Sequence, residues 1–190
     1  MILCGLDEAG RGPLAGPVIA GACILPEDFP VELLNDSKKL TEKKRLAIEP
    51  IIKEQALAWG IAGSDHETID TINILQASLL AMKLAFEQAM SMLKRNHPEL
   101  CLEVYCMADG TFCPDVSVQC YAEPKADGKY PAVMAASILA KNFRDRLRVE
   151  YAALYPEYGY EKHKGYPTKA HREICHALGP SPIQRKTFSY

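Results

Sequence analysis

The stretch GLDEAGRGPLAGP, residues 5–17, lies between two apolar runs and combines adjacent acids with closely spaced glycines. The flanking runs, residues 2–6 and 17–25, are bounded by Gly and Pro, a pattern typical of neighbouring strands. We therefore expect a β-hairpin through the glycine-rich segment. Asp7 and Glu8 end its first strand, although adjacent acids repel each other and stabilise neither a strand nor a helix. Their placement indicates a site rather than a structural role.

Beyond this hairpin the apolar pattern predicts alternating strands and helices. Thr41 is the expected N-cap of the first helix, and Pro50 should bend or shorten that helix. Further strands are predicted at residues 56–63, 102–109 and 116–123, and further helices at residues 64–95, 131–155 and 168–178. This order predicts an α/β fold, a mixed β-sheet flanked by α-helices. We expect one domain, residues 1–190, in which residues 156–190 form a helical C-terminal subregion.

Charge is unevenly distributed along the chain. The net charge is −2, but residues 1–140 hold 12 Lys and Arg against 19 Asp and Glu, whereas residues 141–190 hold 10 against 5. An acidic body with a basic end can bind a polyanion on one face. The same asymmetry is equally compatible with an ordinary solvated surface, so charge alone does not assign a partner.

The seven cysteines include no C-x-x-C pair, and their odd number argues against a closed disulfide framework. This favours a reducing cytoplasm. A zinc cluster of Cys101, Cys106, Cys113 and Cys120 is an alternative, but burial as small apolar residues is the favoured interpretation. An acid at position 7 interrupts any signal-peptide apolar region, and no run of eighteen apolar residues occurs. We therefore expect a protein that is neither secreted by that route nor membrane-spanning.

Two more acids accompany Asp7 and Glu8. Asp109 ends the fourth predicted strand, and Asp127 lies between the fifth strand and the long helix. Carboxylates at the ends of adjacent strands can converge in space, and their repulsion then requires a cation. Oxygen ligands favour Mg²⁺ or Mn²⁺, and two such ions support hydrolysis of phosphodiesters. Taken singly, however, each of these aspartates is an ordinary turn residue.

Five motifs carry a family resemblance. They are DEAGRGPLAGPV (7–18), NDSKKLTEKKR (35–45), MADG (107–110), KADGKYPAVMAASILAK (125–141) and HKGYPTKAHR (163–172). In this order and spacing they resemble type 2 ribonuclease H, bacterial ribonuclease HII, over Gly5 to Phe188. Arg11 completes a G-R-G, unlike the G-T-G or G-K-G usual in ribonuclease HIII. One departure is Ala126, which stands where the family commonly has Gly, and it bears only on local backbone shape.

The resemblance implies a ribonuclease H fold and a metal-dependent endonuclease. Such an enzyme hydrolyses the RNA strand of RNA/DNA hybrids and cuts 5′ of ribonucleotides embedded in duplex DNA. Residue-for-residue matching implies four metal-binding catalytic acids, namely Asp7, Glu8, Asp109 and Asp127, with Mg²⁺ or Mn²⁺ in a two-metal site. The implied partners are nucleic acids and not membranes, and the implied state is a monomer. Contact between the C-terminus and a sliding clamp is left open.

The same matching implies how substrate is held. The backbone of Gly10, Arg11 and Gly12 comes close enough to a sugar to hydrogen-bond its 2′-hydroxyl. Ser37, Lys38 and Lys39 belong to a segment that touches the nucleic-acid backbone, and Tyr166 stacks on the sugar that follows the ribonucleotide. Read without the resemblance, Lys38 and Lys39 are solvent-facing residues and Tyr166 is a packing residue. His163, His171 and His176 are interpreted as basic-surface or structural histidines.

Two other functions are alternatives to the endonuclease. A nucleotide-phosphate cradle does not fit, because GRGPLAG matches neither G-x-G-x-x-G nor G-x-x-x-x-G-K-[ST]. The second alternative is a non-catalytic RNA/DNA hybrid-binding module of the same fold. Such a module has no need for four carboxylates placed against phosphate, and all four are present in the sequence.

Overall fold

Five strands form one mixed sheet in the order β3-β2-β1-β4-β5 in the computed structural model, which describes residues 1–189. The strands are β1 (Ile2–Ala9), β2 (Val18–Ile24), β3 (Ala58–Ser64), β4 (Val104–Asp109) and β5 (Cys120–Glu123). The first two form the predicted antiparallel hairpin, β3 pairs antiparallel with β2, and β4 and β5 continue parallel to β1. The mixed sheet predicted from the sequence is confirmed.

Helices cover both faces of this sheet. They are α1 (Glu42–Gln55), α2 (His66–Asn96), α3 (Pro131–Leu154), α4 (Tyr160–His163) and α5 (Lys169–Leu178). One face packs against α2, whose buried side chains include Ala81 and Phe86. The other face packs against α3, with α1 beside it through Ile48 and Ile52. The chain therefore has two apolar layers, one on each side of the sheet.

Small residues bring α3 unusually close to the centre of the sheet. A Cβ atom built on Gly5 would lie 2.2 Å from the carbonyl carbon of Ala132, and one built on Gly21 would lie 2.2 Å from the carbonyl oxygen of Ala136. No side chain fits in either place, because each would meet the backbone of α3, so glycine is required at both strand positions. This close approach brings the amino-terminal half of α3, including Ser137, next to the end of β1.

Two helices differ from the sequence-based expectation. Thr41 caps α1 as predicted, accepting the Lys44 N–H at 3.3 Å, but Pro50 does not end the helix, which continues to Gln55. Burial of Ile52 holds the last turn in place despite the missing donor of Pro50. In α2 the backbone of Asn73 has φ 69° and ψ 165°, so two helical segments meet there at a kink. The sequence pattern did not predict this kink.

The side chain of Asn73 explains how α2 resumes after the kink. Its Oδ1 accepts hydrogen bonds from the Leu75 and Gln76 N–H groups at 3.0 and 3.1 Å, as an N-cap does. Of the described residues, α2 is the single helix long and apolar enough to cross a membrane by length and composition. It packs against the sheet through Ala85, Phe86 and Ala89, which belong to the apolar core.

The strand bounds differ modestly from the prediction. β1 extends to Ala9 and so includes both acids, whereas β5 begins at Cys120 instead of residue 116. Val116 and Val118 pack against the core but do not pair with another strand. Their alternating apolar pattern therefore reflects side-chain burial and not membership of the sheet. Cys4, Cys23, Cys106 and Cys175 are buried as expected, but Cys113 is exposed. For that cysteine the prediction of burial is wrong.

The C-terminal segment folds back over the glycine-rich turn. Tyr158, Tyr160 and Ile183 form a small cluster with Ala15, and Ala15 and Gln184 form an isolated antiparallel bridge. The predicted helix at residues 168–178 is present as α5, and Thr168 caps it by accepting the His171 N–H at 3.2 Å. Residues far apart in sequence therefore surround the segment between β1 and β2.

Candidate active site

Three aspartates converge at one end of the sheet. Asp7 comes from β1, Asp109 is the last residue of the neighbouring β4, and Asp127 lies in a short 3₁₀ turn before α3. One carboxylate oxygen of each lies within 4.8 Å of those of the other two, and Asp7 and Asp127 are buried. Within residues 1–189, this is the one group of His, Cys, Asp and Glu side chains close enough to hold a metal ion. It contains none of the four cysteines considered for zinc.

Burial and mutual repulsion disfavour the ionised form of the carboxylates when no cation is bound. Burial, followed by the nearby Glu8 and Asp109 carboxylates, raises the pKa of Asp7 well above its usual value, although a hydrogen bond from Ser137 acts in the opposite direction. The pKa of Asp109 is raised by burial and by Asp127. Hard divalent cations neutralise such clusters and bind carboxylate oxygens, so these residues fit Mg²⁺ or Mn²⁺.

Glu8 borders this group but is not part of it. Its backbone N–H donates to Asp7 Oδ1 at 2.7 Å, and its Oε1 accepts from the exposed Arg11 guanidinium at 3.4 Å. Its Oε2 is buried and has no protein partner within residues 1–189. Burial raises the pKa of Glu8, while Arg11 acts to lower it. An unpartnered carboxylate oxygen at the edge of the triad is a ligand available to a cation.

Lys38 reaches the same group from the loop before α1. Its Nζ donates to Asp127 Oδ2 at 3.1 Å. Burial opposes the charged form of Lys38, but the Asp127 interaction and the field of Asp7 outweigh it, so the pKa of Lys38 is raised. Ser37 is buried and its hydroxyl lies 2.8 Å from that of Ser137 on α3. Lys39 is exposed in the same turn and, unlike Ser37 and Lys38, does not line the cleft.

Ala126 occupies the position where the sequence departs from the family pattern. It is fully buried, and its N–H donates to Asp109 Oδ1 at 2.8 Å. The positive φ in this turn, 64°, belongs to the preceding Lys125. Since Ala126 itself has no positive φ, a Cβ atom is tolerated there, and the departure leaves the position of Asp127 intact.

The glycine loop forms one wall of the cleft. Gly10 has φ 102°, and a Cβ atom on it would lie 2.3 Å from Arg144 Nε, so glycine is required. On its inner side the loop is held by Arg185, whose guanidinium donates to loop carbonyl groups. The sequence did not reveal Arg185, because a single charge outside any periodic pattern or matched motif carries no such signal.

Tyr166 stands opposite the loop and is 43% exposed. Its ring lies 3.5 Å from where a Cβ atom on Gly12 would be, and the Arg144 guanidinium lies 5.8 Å from its centroid. The stacked rings of His163 and His171 support its backbone from behind. His163 Nδ1 accepts the Gly165 N–H at 3.2 Å, and His171 Nδ1 lies 3.0 Å from the Tyr166 carbonyl oxygen. Both of these histidines are therefore structural, whereas His176 is exposed.

The cleft thus gathers nearly all of the residues that the sequence singled out. Its lining includes three of the four acids, the glycine loop, the serine and first lysine of the loop before α1, and the tyrosine: Asp7, Glu8, Asp109, Gly10, Arg11, Gly12, Ser37, Lys38 and Tyr166. Asp127 and Lys39 do not line the cleft, but Asp127 is bound to Lys38, which does. Residues from both ends of the chain meet in one concave, acid-floored surface.

Comparison with known proteins identifies this arrangement. The family model for ribonuclease HII matches residues 4–189. The chain belongs to the ribonuclease HII family. It is 48% identical over 187 residues to a ribonuclease HII of Dechloromonas aromatica, covering 98% of this chain and 90% of that protein. It is 49% identical to a ribonuclease HII of Treponema denticola, covering 98% of each. The protein is accordingly a ribonuclease H, an endonuclease of RNA/DNA hybrids, as the motif resemblance implied.

Solved structures show the same fold. Ribonuclease H2 from Pyrococcus horikoshii superposes with a TM-score of 0.72 at 26% identity, covering all of this chain and 94% of that one. A ribonuclease HIII described in complex with Mn²⁺ gives a TM-score of 0.75 at 18% identity, over 94% of this chain and 63% of that one. The ribonuclease HII of a PCNA complex from Archaeoglobus fulgidus gives 0.73 at 22%, covering 100% and 96%. The ribonuclease H-like fold expected from the sequence is confirmed.

Proposed function

We propose that this ribonuclease HII cuts the RNA strand of RNA/DNA hybrids and cuts 5′ of single ribonucleotides embedded in duplex DNA, with divalent-metal dependence. The observation that carries the proposal is the convergence of Asp7, Asp109 and Asp127 at a cleft whose walls are the Gly10–Gly12 loop and Tyr166. A group of carboxylates that fits a metal ion, a glycine-rich backbone and an exposed aromatic ring meet there. Together they match what cleavage of a phosphodiester at a ribonucleotide requires: cations, contact with a 2′-hydroxyl and stacking on a sugar.

Asp7, Asp109 and Asp127 would hold the cations, with Glu8 Oε2 as a further ligand. When bound, such ions activate a water molecule and stabilise the leaving oxygen in phosphodiester hydrolysis. Mg²⁺ and Mn²⁺ both match the oxygen ligands. The solved structure of a ribonuclease HIII in complex with Mn²⁺ supports Mn²⁺ as one of the ions used. In the reaction water adds to phosphorus, the bond from phosphorus to the 3′-oxygen breaks, and that oxygen takes a proton. The products carry a 3′-hydroxyl and a 5′-phosphate.

Substrate recognition is assigned to groups of the chain itself. Gly10, Arg11 and Gly12 line the cleft, and the two glycines have no side chain to keep a sugar at a distance, so the peptide groups of this loop hydrogen-bond a 2′-hydroxyl. Lys38 presents a cation beside the acids and supplies contact with a phosphate. Lys39, exposed in the same turn, contacts the backbone further along the strand. The exposed ring of Tyr166 stacks on the deoxyribose that follows the ribonucleotide.

The proposal also covers the oligomeric state, the cellular location and a protein partner. The chain acts as a monomeric catalytic domain in the cytoplasm, and residues 156–190 contribute the substrate contacts of Tyr166. The PCNA complex of the Archaeoglobus enzyme supports keeping a sliding-clamp contact as a hypothesis. Here Thr187 is bound to Asp70 and Phe188 packs against the core, so a clamp that takes this segment must first detach it.

One experiment separates the endonuclease from a hybrid-binding module. A 5′-labelled duplex with one ribonucleotide, a uniform RNA/DNA hybrid and an all-DNA duplex are incubated with the protein in Mg²⁺, in Mn²⁺ and in a chelator. We expect metal-dependent cleavage of the first two, and a product of the first that ends at the deoxynucleotide 5′ of the ribonucleotide. Binding without cleavage in either metal would favour the module.

A further inference from the structure

Arg185 is completely buried and makes an unusual set of hydrogen bonds. Its Nε donates to the Gly16 carbonyl at 2.8 Å, its Nη1 to those of Arg11 and Pro13 at 2.9 and 2.8 Å, and its Nη2 to that of Gly10 at 2.6 Å. All four acceptors belong to the segment of residues 10–16. One guanidinium therefore holds the turn that connects the catalytic strand β1 to β2.

This geometry determines which way two peptide N–H groups point. No cis peptide bond occurs within the described residues, and in a trans peptide the N–H points opposite to the C=O. Since Arg185 binds the carbonyls of Gly10 and Arg11, the N–H groups of Arg11 and Gly12 point away from it. Neither donates to a protein acceptor within residues 1–189. Both residues line the cleft.

The backbone around Arg185 is anchored as well. Its own N–H donates to the Leu14 carbonyl at 2.8 Å, which ties the same segment again. Asp70 on α2 accepts the backbone N–H groups of Lys186 and Thr187, both at 2.9 Å, and the ring centroid of Phe188 lies 5.0 Å from the Arg185 guanidinium. The Arg185 guanidinium is therefore fixed by its buried surroundings and by its anchored backbone. Its four hydrogen bonds can form together only when the four carbonyl acceptors keep their positions.

We infer that Arg185 is a positioning residue for ribonucleotide recognition, because it fixes the Gly10–Gly12 backbone with its free N–H groups facing the sugar. It does not line the cleft and acts only through the loop. The inference rests on the proposed function, since it requires that the loop reads the 2′-hydroxyl. It goes further by assigning the preorganisation of that loop to one residue near the other end of the chain.

The test compares binding to two duplexes in Ca²⁺. The affinity for a duplex with one ribonucleotide is divided by that for the same duplex made of DNA. Arg185→Lys keeps the positive charge but loses the planar guanidinium, whose three nitrogens donate to four carbonyl groups. We expect this ratio to fall about tenfold, as for loss of a hydrogen bond worth about 1.4 kcal/mol, with affinity for the all-DNA duplex unchanged. Arg172→Lys, at an exposed position on α5, is the matched control and should leave both affinities unchanged.

Asp70→Asn is the second variant for the same binding test, for use if Arg185→Lys does not fold. It weakens the anchor of Lys186 and Thr187 but keeps the guanidinium, so the ratio should fall about two- to threefold, by a few tenths of a kcal/mol. A wild-type ratio in either folded variant, even with a lower melting temperature, would overturn the positioning role while leaving the proposed function intact. A wild-type protein that cleaves neither a hybrid nor a single ribonucleotide would overturn both.

Discussion

At the scale of single residues, the aspartate triad should be essential for catalysis but not for folding. Asp7→Asn, Asp109→Asn and Asp127→Asn would each remove a charge that, on the proposed function, holds or orients a cation. We expect a loss of about a hundredfold or more in kcat for each, as for other preorganised electrostatic groups. Cleavage rates in Mg²⁺ together with thermal melts measure the effect. Near-normal turnover by folded Asp109→Asn would contradict the assignment of the acids.

Substitution of Tyr166 tests whether its ring contacts the substrate. If its ring stacks on the deoxyribose beyond the ribonucleotide, Tyr166→Ala should impair cleavage of a duplex with one ribonucleotide more than of a uniform hybrid. Aromatic stacking of this kind contributes about 1–3 kcal/mol, so the selective loss should be about tenfold to a hundredfold. Tyr166→Phe keeps the ring and should retain the selectivity. Equal losses on both substrates, with a lowered melting temperature, would indicate a packing residue instead.

At the scale of elements, Glu49 links α1 to α3. Its carboxylate accepts two hydrogen bonds from Arg146 at 2.8 and 2.9 Å and one from Asn142 at 2.9 Å. Burial opposes ionisation of Glu49, but these bonds and Lys53 outweigh it and lower the pKa of Glu49 to about 2. Because the folded pKa is depressed, the stability that Glu49 contributes is complete above its ordinary pKa of 4.5 and is lost as the pH falls towards 2.

Glu49→Gln should therefore lower the free energy of unfolding at neutral pH by about 1–3 kcal/mol, as for loss of hydrogen bonds to a charged group. The difference from wild type should shrink as the pH falls from 5 to 3. Denaturant unfolding at several pH values measures it. A difference that stays constant over this range would show that the carboxylate charge does not hold α1 to α3.

At the scale of the whole molecule, cation binding should stabilise the fold. If Mn²⁺ or Mg²⁺ binds the folded triad as proposed, it relieves the repulsion of the carboxylates, and a concentration of a hundred times Kd should add about 2.7 kcal/mol to the free energy of unfolding. For a chain of this size, that corresponds to a rise of about 5–10 °C in Tm. Asp109→Asn removes one of the repelling charges and should have a higher Tm without metal and a smaller rise with it. Equal Tm values with metal and with chelator in wild type would contradict a triad that binds cations.

Local sequence signals account for most of the fold and for part of the candidate site. The hairpin, the α/β order and the positions of Asp7, Asp109 and Asp127 near strand ends followed from the sequence, because apolar periodicity and glycine placement are local signals. The kink at Asn73 and the short β5 did not follow from the apolar periodicity. The kink is capped locally, because the Asn73 side chain accepts the Leu75 and Gln76 N–H groups, and apolar periodicity carries no signal for such a cap. Pairing with β4 begins at Cys120, so the bounds of β5 depend on a strand elsewhere in the chain.

The apolar periodicity, the acids and the family motifs of this protein can all be read from its sequence alone. The packing of the folded chain brings three carboxylates within 4.8 Å of one another while Glu8 stays at their edge, makes Lys38 and not Lys39 face them, and places Arg185 against the glycine loop. Distance along the chain explains the difference. Arg185 lies 175 residues from Gly10 and Lys38 lies 89 from Asp127, and pairings that long are selected by the packing of the whole sheet and its helices.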